Sequence, residues 1–282
     1  MDSSKFLVTG ANGQLGNALR QQYPNAHFTD ANELDITNKD MVDNFDWSNI
    51  THIINAAAYT NVDGAETSQD LCMSINAGGV ANLAAAANTH DLTLVHISTD
   101  YVFDGSKDNH SEDEELSPIS VYGRSKAEGD KEAMKALKHY ILRTSWVIGE
   151  GHNFVKIMMG LAEKDISPTV VNDQIGRLTF TTELVRATNH LLSSELPFGI
   201  YNITNSGDPA SWADITREIF RLLGRDDLTV SDTTTEEYFA GKENIAPRPL
   251  KSTLNLDKIK ATGFVPRDWK ENLKEYIEEQ SK

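Results

Sequence analysis

The sequence predicts an α/β fold, a doubly wound parallel sheet carrying a smaller C-terminal lobe. Three observations point there. Short apolar runs alternate with longer helical patterns through the first half, the first apolar run ends in a glycine-rich turn, and the alternation stops near residue 145.

Phe6-Leu7-Val8 reads as the first strand and Gly13 to Tyr23 as the helix behind it. Ala26–Thr29 reads as a second strand ending at Asp30, and Thr37–Phe45 as a helix capped by Thr37. His52-Ile53-Ile54 is a buried strand, and Gln69–Asn88 a long alanine-rich helix. Leu92–Ile97 then reads as a strand, Ser120–Leu137 as a helix and Tyr140-Ile141-Leu142 as a strand. In the second half Asn153–Lys164, Thr181–Ser193, Ser211–Leu223 and Trp269–Gln280 read as helices. Thr169-Val170-Val171 and Ile200–Ile203 are short strands between them. The expected division is residues 1–145 as a dinucleotide-binding unit and 146–282 as mainly a substrate-binding lobe. Part of that lobe is expected to return to the sheet. The acidic run Asp108–Glu115 reads as a solvated lid edge or a mobile turn.

Composition narrows the partners. The chain carries 26 basic and 42 acidic residues, a formal charge of -16. Such a surface repels nucleic acid and anionic membrane. No run of about 18 apolar residues occurs, so no membrane span is expected. The first strand begins almost at the N-terminus, which predicts no signal peptide. Cys72 is the single cysteine; it reads as a small packed residue and fits a reducing, cytoplasmic setting.

The turn Gly10-Ala11-Asn12-Gly13-Gln14-Leu15-Gly16 follows a strand and opens a helix. A helix N-terminus offers free N–H groups and a positive dipole end to phosphate, and glycines let the backbone approach a pyrophosphate. Asp30 ends the second strand, where a carboxylate can accept hydrogen bonds from adenosine ribose hydroxyls. That arrangement is Rossmann-type, and nominally favours NAD over NADP. Asp35 and Ile36 either cover the adenine or, for Asp35, form a turn before Thr37. Ala56, Ala57 and Ala58 end the third strand; small residues there leave room for a cofactor or for helix packing.

Tyr122 and Lys126 stand at i and i+4 of a helix, which places phenol and ammonium on one face. A nearby ammonium favours the phenolate and is expected to lower the tyrosine pKa. Thr99 and Asp100 follow the fourth strand, at the sheet edge where ligands bind. The Thr99 hydroxyl can polarise the carbonyl that Tyr122 protonates.

These motifs resemble the extended short-chain dehydrogenase/reductases. Within them the chain is similar to the dTDP-4-dehydrorhamnose reductase family over nearly its whole length. The resemblance rests on residues 10–16, 55–62 (NAAAYTNV), 98–103 (STDYVF), 121–126 (VYGRSK), 143–147 (RTSWV), Asn153-Phe154, 172–176 (NDQIG) and 248–254 (RPLKSTL). It implies reduction of the 4-keto group of a dTDP-activated 6-deoxyhexose, with Thr99, Tyr122 and Lys126 as catalytic triad. NADPH is the expected cofactor, with NADH as the alternative, because the family accepts NADPH despite an acid at the position of Asp30. Tyr59 and Ile97 join the cofactor contacts. Thr99, Asp100, Trp146 and Asn153 are expected at the sugar, and Arg177 and Arg248 at the diphosphate, where a guanidinium fork suits phosphate.

Related dehydratases carry Asp-Glu after the threonine, whereas this chain has Asp100-Tyr101, which favours simple reduction. A reductase or epimerase of another nucleotide-sugar is the alternative enzyme. A non-catalytic regulatory subunit, like the β-subunit of methionine adenosyltransferase, is the alternative from another class. Some family members form magnesium-bridged dimers. The corresponding positions here are Glu183, Glu278 or Glu279, and Ala18, which has no oxygen to offer. A monomer or weak homodimer without structural metal is therefore expected.

Overall fold

The structure is a computed structural model that describes residues 1–194 and 196–280. Six parallel strands form the central sheet: β1 (Phe6–Thr9), β2 (His27–Thr29), β3 (His52–Asn55), β4 (Thr93–Thr99), β5 (His139–Thr144) and β6 (Gly199–Asn202). Their order across the sheet is β6-β5-β4-β3-β1-β2. The chain therefore reverses its direction of winding between β1 and β3, and a crevice opens at such a reversal.

Alternating side chains of each strand feed two cores, as a period of two requires. Phe6, Val8, Ile54, Val95 and Leu142 face helices α1 (Gln14–Gln22) and α4 (Thr181–Ser193). Leu7, Ile53, Leu94 and Ile141 face α2 (Gly79–Thr89). A third core, with Ile148, Val155, Phe180, Ile219 and Trp269, belongs to the second half of the chain. The expected doubly wound sheet with helices on both faces is the observed fold. Its sixth strand comes from the second half and pairs with β5 from Gly199↔Tyr140 to Asn202↔Arg143.

Three local expectations are corrected. The helix expected at Thr37 begins at Lys39 and is capped by Asn38, whose Oδ1 accepts from Met41 N at 3.2 Å. Thr37 instead donates its hydroxyl to Asp35 at 2.7 Å. The long helix expected over Gln69–Asn88 is interrupted by a π-helical turn at Ser74–Gly78. There Asn76 leaves the helical pattern to grip Tyr59, accepting from its N at 2.8 Å and donating to its O at 3.1 Å, and to donate to Ser125 at 2.9 Å. The acidic run 108–115 is not a free lid. His110 is fully buried against Phe103, with ring centroids 4.6 Å apart. Glu112 accepts from Asn202 N at 3.0 Å through its carboxylate and from Arg143 Nη1 at 3.0 Å through its carbonyl. Glu112 thus ties the run to the β5–β6 edge, while Asp108, Asp113 and Glu115 stay exposed, as a solvated segment should.

Candidate active site

The glycine turn leaves β1 with Gly10 at φ 71°, and a Cβ there would stand 2.6 Å from Ala57 N at the end of β3. A Cβ at Gly16 would stand 2.4 Å from Gly10 O. Both positions therefore need glycine for close approach, whereas a Cβ at Gly13 would meet only Gly10 O at 3.4 Å. Gly13 lines a cavity of about 930 Å³, at the upper end of the usual small-molecule range of roughly 300–1,000 Å³.

That cavity brings together Gly10, Gly13, Gln14, Leu15, Asp30, Asp35, Ile36, Ala56, Ala57, Ala58 and Ile97 from the expected cofactor set. It also takes in Thr99, Asp100, Tyr122, Lys126 and Trp146. Asn12 and Gly16 shape the turn from outside it. Asn12 N donates to Asp30 Oδ2 at 3.2 Å, so the carboxylate is partly engaged before any ribose arrives. Tyr59 packs with Ala65, Cys72 and Val121 rather than lining the cavity. Cys72 is buried, 3.1 Å from Ser125 Oγ, as a packed residue should be.

Helix α3 (Val121–Ala133) presents the catalytic candidates. Ser120 caps it, accepting from Gly123 N at 3.0 Å, and Glu66 accepts from Val121 N at 2.9 Å. Two separate side chains thus fix the turn that carries Tyr122. Lys126 is 2% exposed and its Nζ donates to Ile97 O at 2.6 Å. Burial pulls its pKa down to about 8, with Asp130 working the other way. Burial pushes the Tyr122 phenol up, and the neighbouring Thr99 hydroxyl only partly offsets this. The expected lowering of the Tyr122 pKa by Lys126 is outweighed here by desolvation, which favours the protonated phenol. Thr99 Oγ1 donates to Asp100 Oδ1 at 3.0 Å. Asp100 is 3% exposed, and burial pushes its carboxyl up to about 6.

Trp146 forms the wall opposite. Its φ is 47°, a left-handed conformation that costs on the order of 1–3 kcal/mol for such a residue. The bend turns its ring onto Trp212, while Gly176 leaves the space beside it.

Three expected substrate residues stand outside the cavity. Asn153 is a helix cap: its Oδ1 accepts from Lys156 N at 3.1 Å, and its Nδ2 donates to Gly149 O and Tyr276 Oη at 2.8 Å each. Arg177 is spent on carbonyls, donating to Gly207 O at 2.8 Å and Leu254 O at 3.2 Å. Arg248 donates to Asp63 Oδ2 at 2.8 Å and to Ala246 O at 2.7 Å. It lies next to the cavity wall, since Asp63 follows the lining residue Val62. Sequence reading missed Ser98, Thr144 and Ser145, which line the cavity floor. The available signal was their position at the ends of β4 and β5.

The comparisons with known proteins follow this geometry. The family described as "RmlD substrate binding domain" matches residues 4–282. The dTDP-4-dehydrorhamnose reductase of Aggregatibacter actinomycetemcomitans is 41% identical over 96% of this chain and 97% of its own. A crystal structure of a dTDP-4-dehydrorhamnose reductase from Clostridium acetobutylicum is 40% identical with a TM-score of 0.90, covering 98% of this chain and 99% of that one. The Bacillus anthracis enzyme of the same name, solved in complex with NADP, is 35% identical with a TM-score of 0.90, over 97% and 98% of the two chains. Fold and sequence match over nearly the whole length, and the chain belongs to the RmlD substrate binding domain family.

Proposed function

We propose that this chain is an NADPH-dependent reductase of the 4-keto group of a dTDP-activated 6-deoxyhexose, converting dTDP-4-dehydrorhamnose to dTDP-L-rhamnose. The observation that carries the reading is that one cavity at the β1–β3 reversal unites the glycine turn with Thr99, Tyr122 and Lys126. NADH is the alternative cofactor.

The residues fit a dinucleotide. The opening above Gly13, which neighbouring side chains leave clear, suits a pyrophosphate at the N-terminus of α1. Asp30, Ile36, Ala56 and Ala57 line the cavity and would hold the adenosine end. When bound, the reduced nicotinamide supplies the hydride that the keto carbon must gain. Tyr122 keeps its proton by burial and gives it to the developing alkoxide. Thr99 turns its hydroxyl from Asp100 to donate to the same oxygen, and Lys126 would hold the nicotinamide ribose. Asp100 and Trp146 meet the sugar, and Arg248 exchanges Asp63 for the substrate diphosphate. Tyr101 stands where related dehydratases carry a glutamate. Burial raises its phenol pKa, so it offers no base for removing water. The protein is proposed to work as a monomer or weak homodimer without a structural metal. Among the described residues no helix is long and apolar enough to cross a membrane.

The test mixes the protein with NADPH and dTDP-4-keto-6-deoxyhexose and follows absorbance of the reduced nicotinamide. Oxidation only when the keto-sugar is present is expected. No oxidation with this sugar, with turnover of another nucleotide-sugar, would overturn the assignment. No turnover, with tight binding to a partner protein, would favour the regulatory alternative.

A further inference from the structure

Two donors of the segment 246–248 close on one carboxylate beside the cavity. Asp63 stands in the short helix Val62–Thr67, one residue after the lining residue Val62. Its Oδ1 accepts from Ala246 N at 3.0 Å and its Oδ2 from Arg248 Nη2 at 2.8 Å. A backbone N–H and a guanidinium, one to each oxygen, are also the donors that a phosphate group takes.

The donors are held in place by contacts that do not involve Asp63. Arg248 Nη1 donates to Ala246 O at 2.7 Å, and the guanidinium carbon lies 4.5 Å from the centre of the Phe239 ring. Pro249 packs so closely on Gly105 that a Cβ there would stand 2.7 Å from Pro249 Cα. Beyond it, Leu250 O accepts from Ile175 N and Ser252 N donates to Ile175 O, at 2.7 Å each. Ala246 itself is buried. The Asp63 side chain is 38% exposed, so it can turn into water without becoming a buried, unpaired charge. Lys242 lies over the same Phe239 ring at 5.2 Å and adds a second cation. Burial works to raise the Asp63 pKa, but the bonds from Arg248 and Ala246 and the charges of Arg248 and Lys242 outweigh it and hold the carboxyl below its usual range.

We infer that Asp63 is a built-in competitor of the substrate: its carboxylate fills an anion cradle made by the Ala246 N–H and the Arg248 guanidinium, and a diphosphate ester binds there by displacing it. The inference rests on the reading of Arg248 as a diphosphate residue. It adds Ala246 as the second donor and Asp63 as the group that sets the affinity. Binding is then an exchange of one anion for another. The chain gives up the Asp63 contacts for those of the ligand, and the displaced carboxylate still repels the phosphates.

The probe is dTDP, its affinity measured by calorimetry on the intact chain without cofactor or keto-sugar. Asp63→Asn and Asp63→Ala should each bind dTDP more tightly, by roughly 3–30-fold, and Arg248→Gln should bind it more weakly. Asp63→Asn keeps the shape and a hydrogen-bond acceptor, so it serves if Asp63→Ala fails to fold. Added to Arg248→Gln, Asp63→Asn should give little of its gain, because the cradle is already broken. A gain of equal size in both backgrounds would report only the loss of one negative charge from an acidic chain, and overturns the inference. Unchanged, weaker or undetectable dTDP binding in the Asp63 variants overturns it too, since Asp63 would then serve to hold Arg248 in place. A chain that shows the expected shifts but oxidises no NADPH with the keto-sugar keeps the cradle and loses the proposed function. Oxidation without the shifts does the reverse.

Discussion

Trp146 lies flat on Trp212, with ring centroids 3.8 Å apart and planes 18° from parallel. Trp212 is in turn fixed by donating to Gln174 Oε1 at 3.2 Å and by leaning on Phe154. The cavity wall is therefore oriented by a residue that does not line it. Trp212→Leu keeps apolar bulk but removes the flat support. An aromatic pair contributes about 0.5–1.5 kcal/mol beyond burial, so KM for the keto-sugar should rise roughly 2–10-fold while cofactor affinity stays unchanged. Steady-state kinetics with each substrate varied separately would decide, and equal losses for both would show that the stack supports the whole fold instead.

Tyr122 is expected to be the proton donor. Tyr122→Phe keeps the ring against Tyr101, at 5.5 Å between centroids, and removes only the hydroxyl. Turnover should fall on the order of 10²–10⁴-fold with near-native cofactor binding. Near-normal turnover in this variant would take Tyr122 out of the mechanism.

Asp100 gives a pH dependence with a definite sign. Its carboxyl is pushed from 3.8 up to about 6. Between those values the folded chain binds more protons than the unfolded one, so this group's contribution to stability falls as pH rises through the window. The loss approaches ~3 kcal/mol at ~1.36 kcal/mol per unit. Asp100→Asn cannot ionise, so it should be more stable than the native chain at about pH 7.5, with the difference shrinking towards about pH 4. Thermal melts at both pH values check this, and a Tm difference that does not change with pH would refute it.

Asp30 is expected to disfavour NADPH without excluding it, because its carboxylate is already engaged by Asn12 N. Both cofactors should support turnover, with kcat/KM values within about a hundredfold, or 2.7 kcal/mol. Asp30→Asn should move the ratio towards NADPH. A native preference for NADH beyond that range would show that the carboxylate dominates.

Assembly is expected to be indifferent to magnesium. Glu183 is fully buried, accepting from Arg267 N at 3.0 Å and from Arg186 at 2.5 Å, so its oxygens serve its own chain. Sedimentation with magnesium and with chelator should give the same mass. A tight dimer that dissociates on chelation would contradict this.

The parallel sheet was legible because each strand is an apolar run bounded by turn residues, and because Gly10 and Gly16 announce a backbone approach that only glycine permits. Thr99, at the end of β4, was legible because its place follows from the sheet; Ser98, Thr144 and Ser145 share that signal but were not picked out by it. What stayed hidden are pairings between distant segments. Nothing local marks Asn76 as a clasp, since an asparagine in an alanine-rich helix looks like any polar position. Asn153 and Arg177 have the chemistry of ligand-binding groups, yet their partners are backbone carbonyls and a tyrosine hydroxyl that only the folded chain brings near. In the acidic run 108–115, Glu112 did not stand out, because its partners Arg143 and Asn202 lie far along the sequence.

The sixth strand, Gly199–Asn202, also governs how the chain can be divided. A fragment ending near residue 145 would lack the strand that pairs with β5 and leave β5 as a sheet edge. It would also lose Leu184, Leu191 and Tyr201 from the core beneath. Exposed edges of this kind invite pairing with other chains, so such a fragment should aggregate rather than bind nucleotide. The intact chain, by the same token, should melt in one cooperative step, because its second half supplies both the sixth strand and part of the core under the sheet.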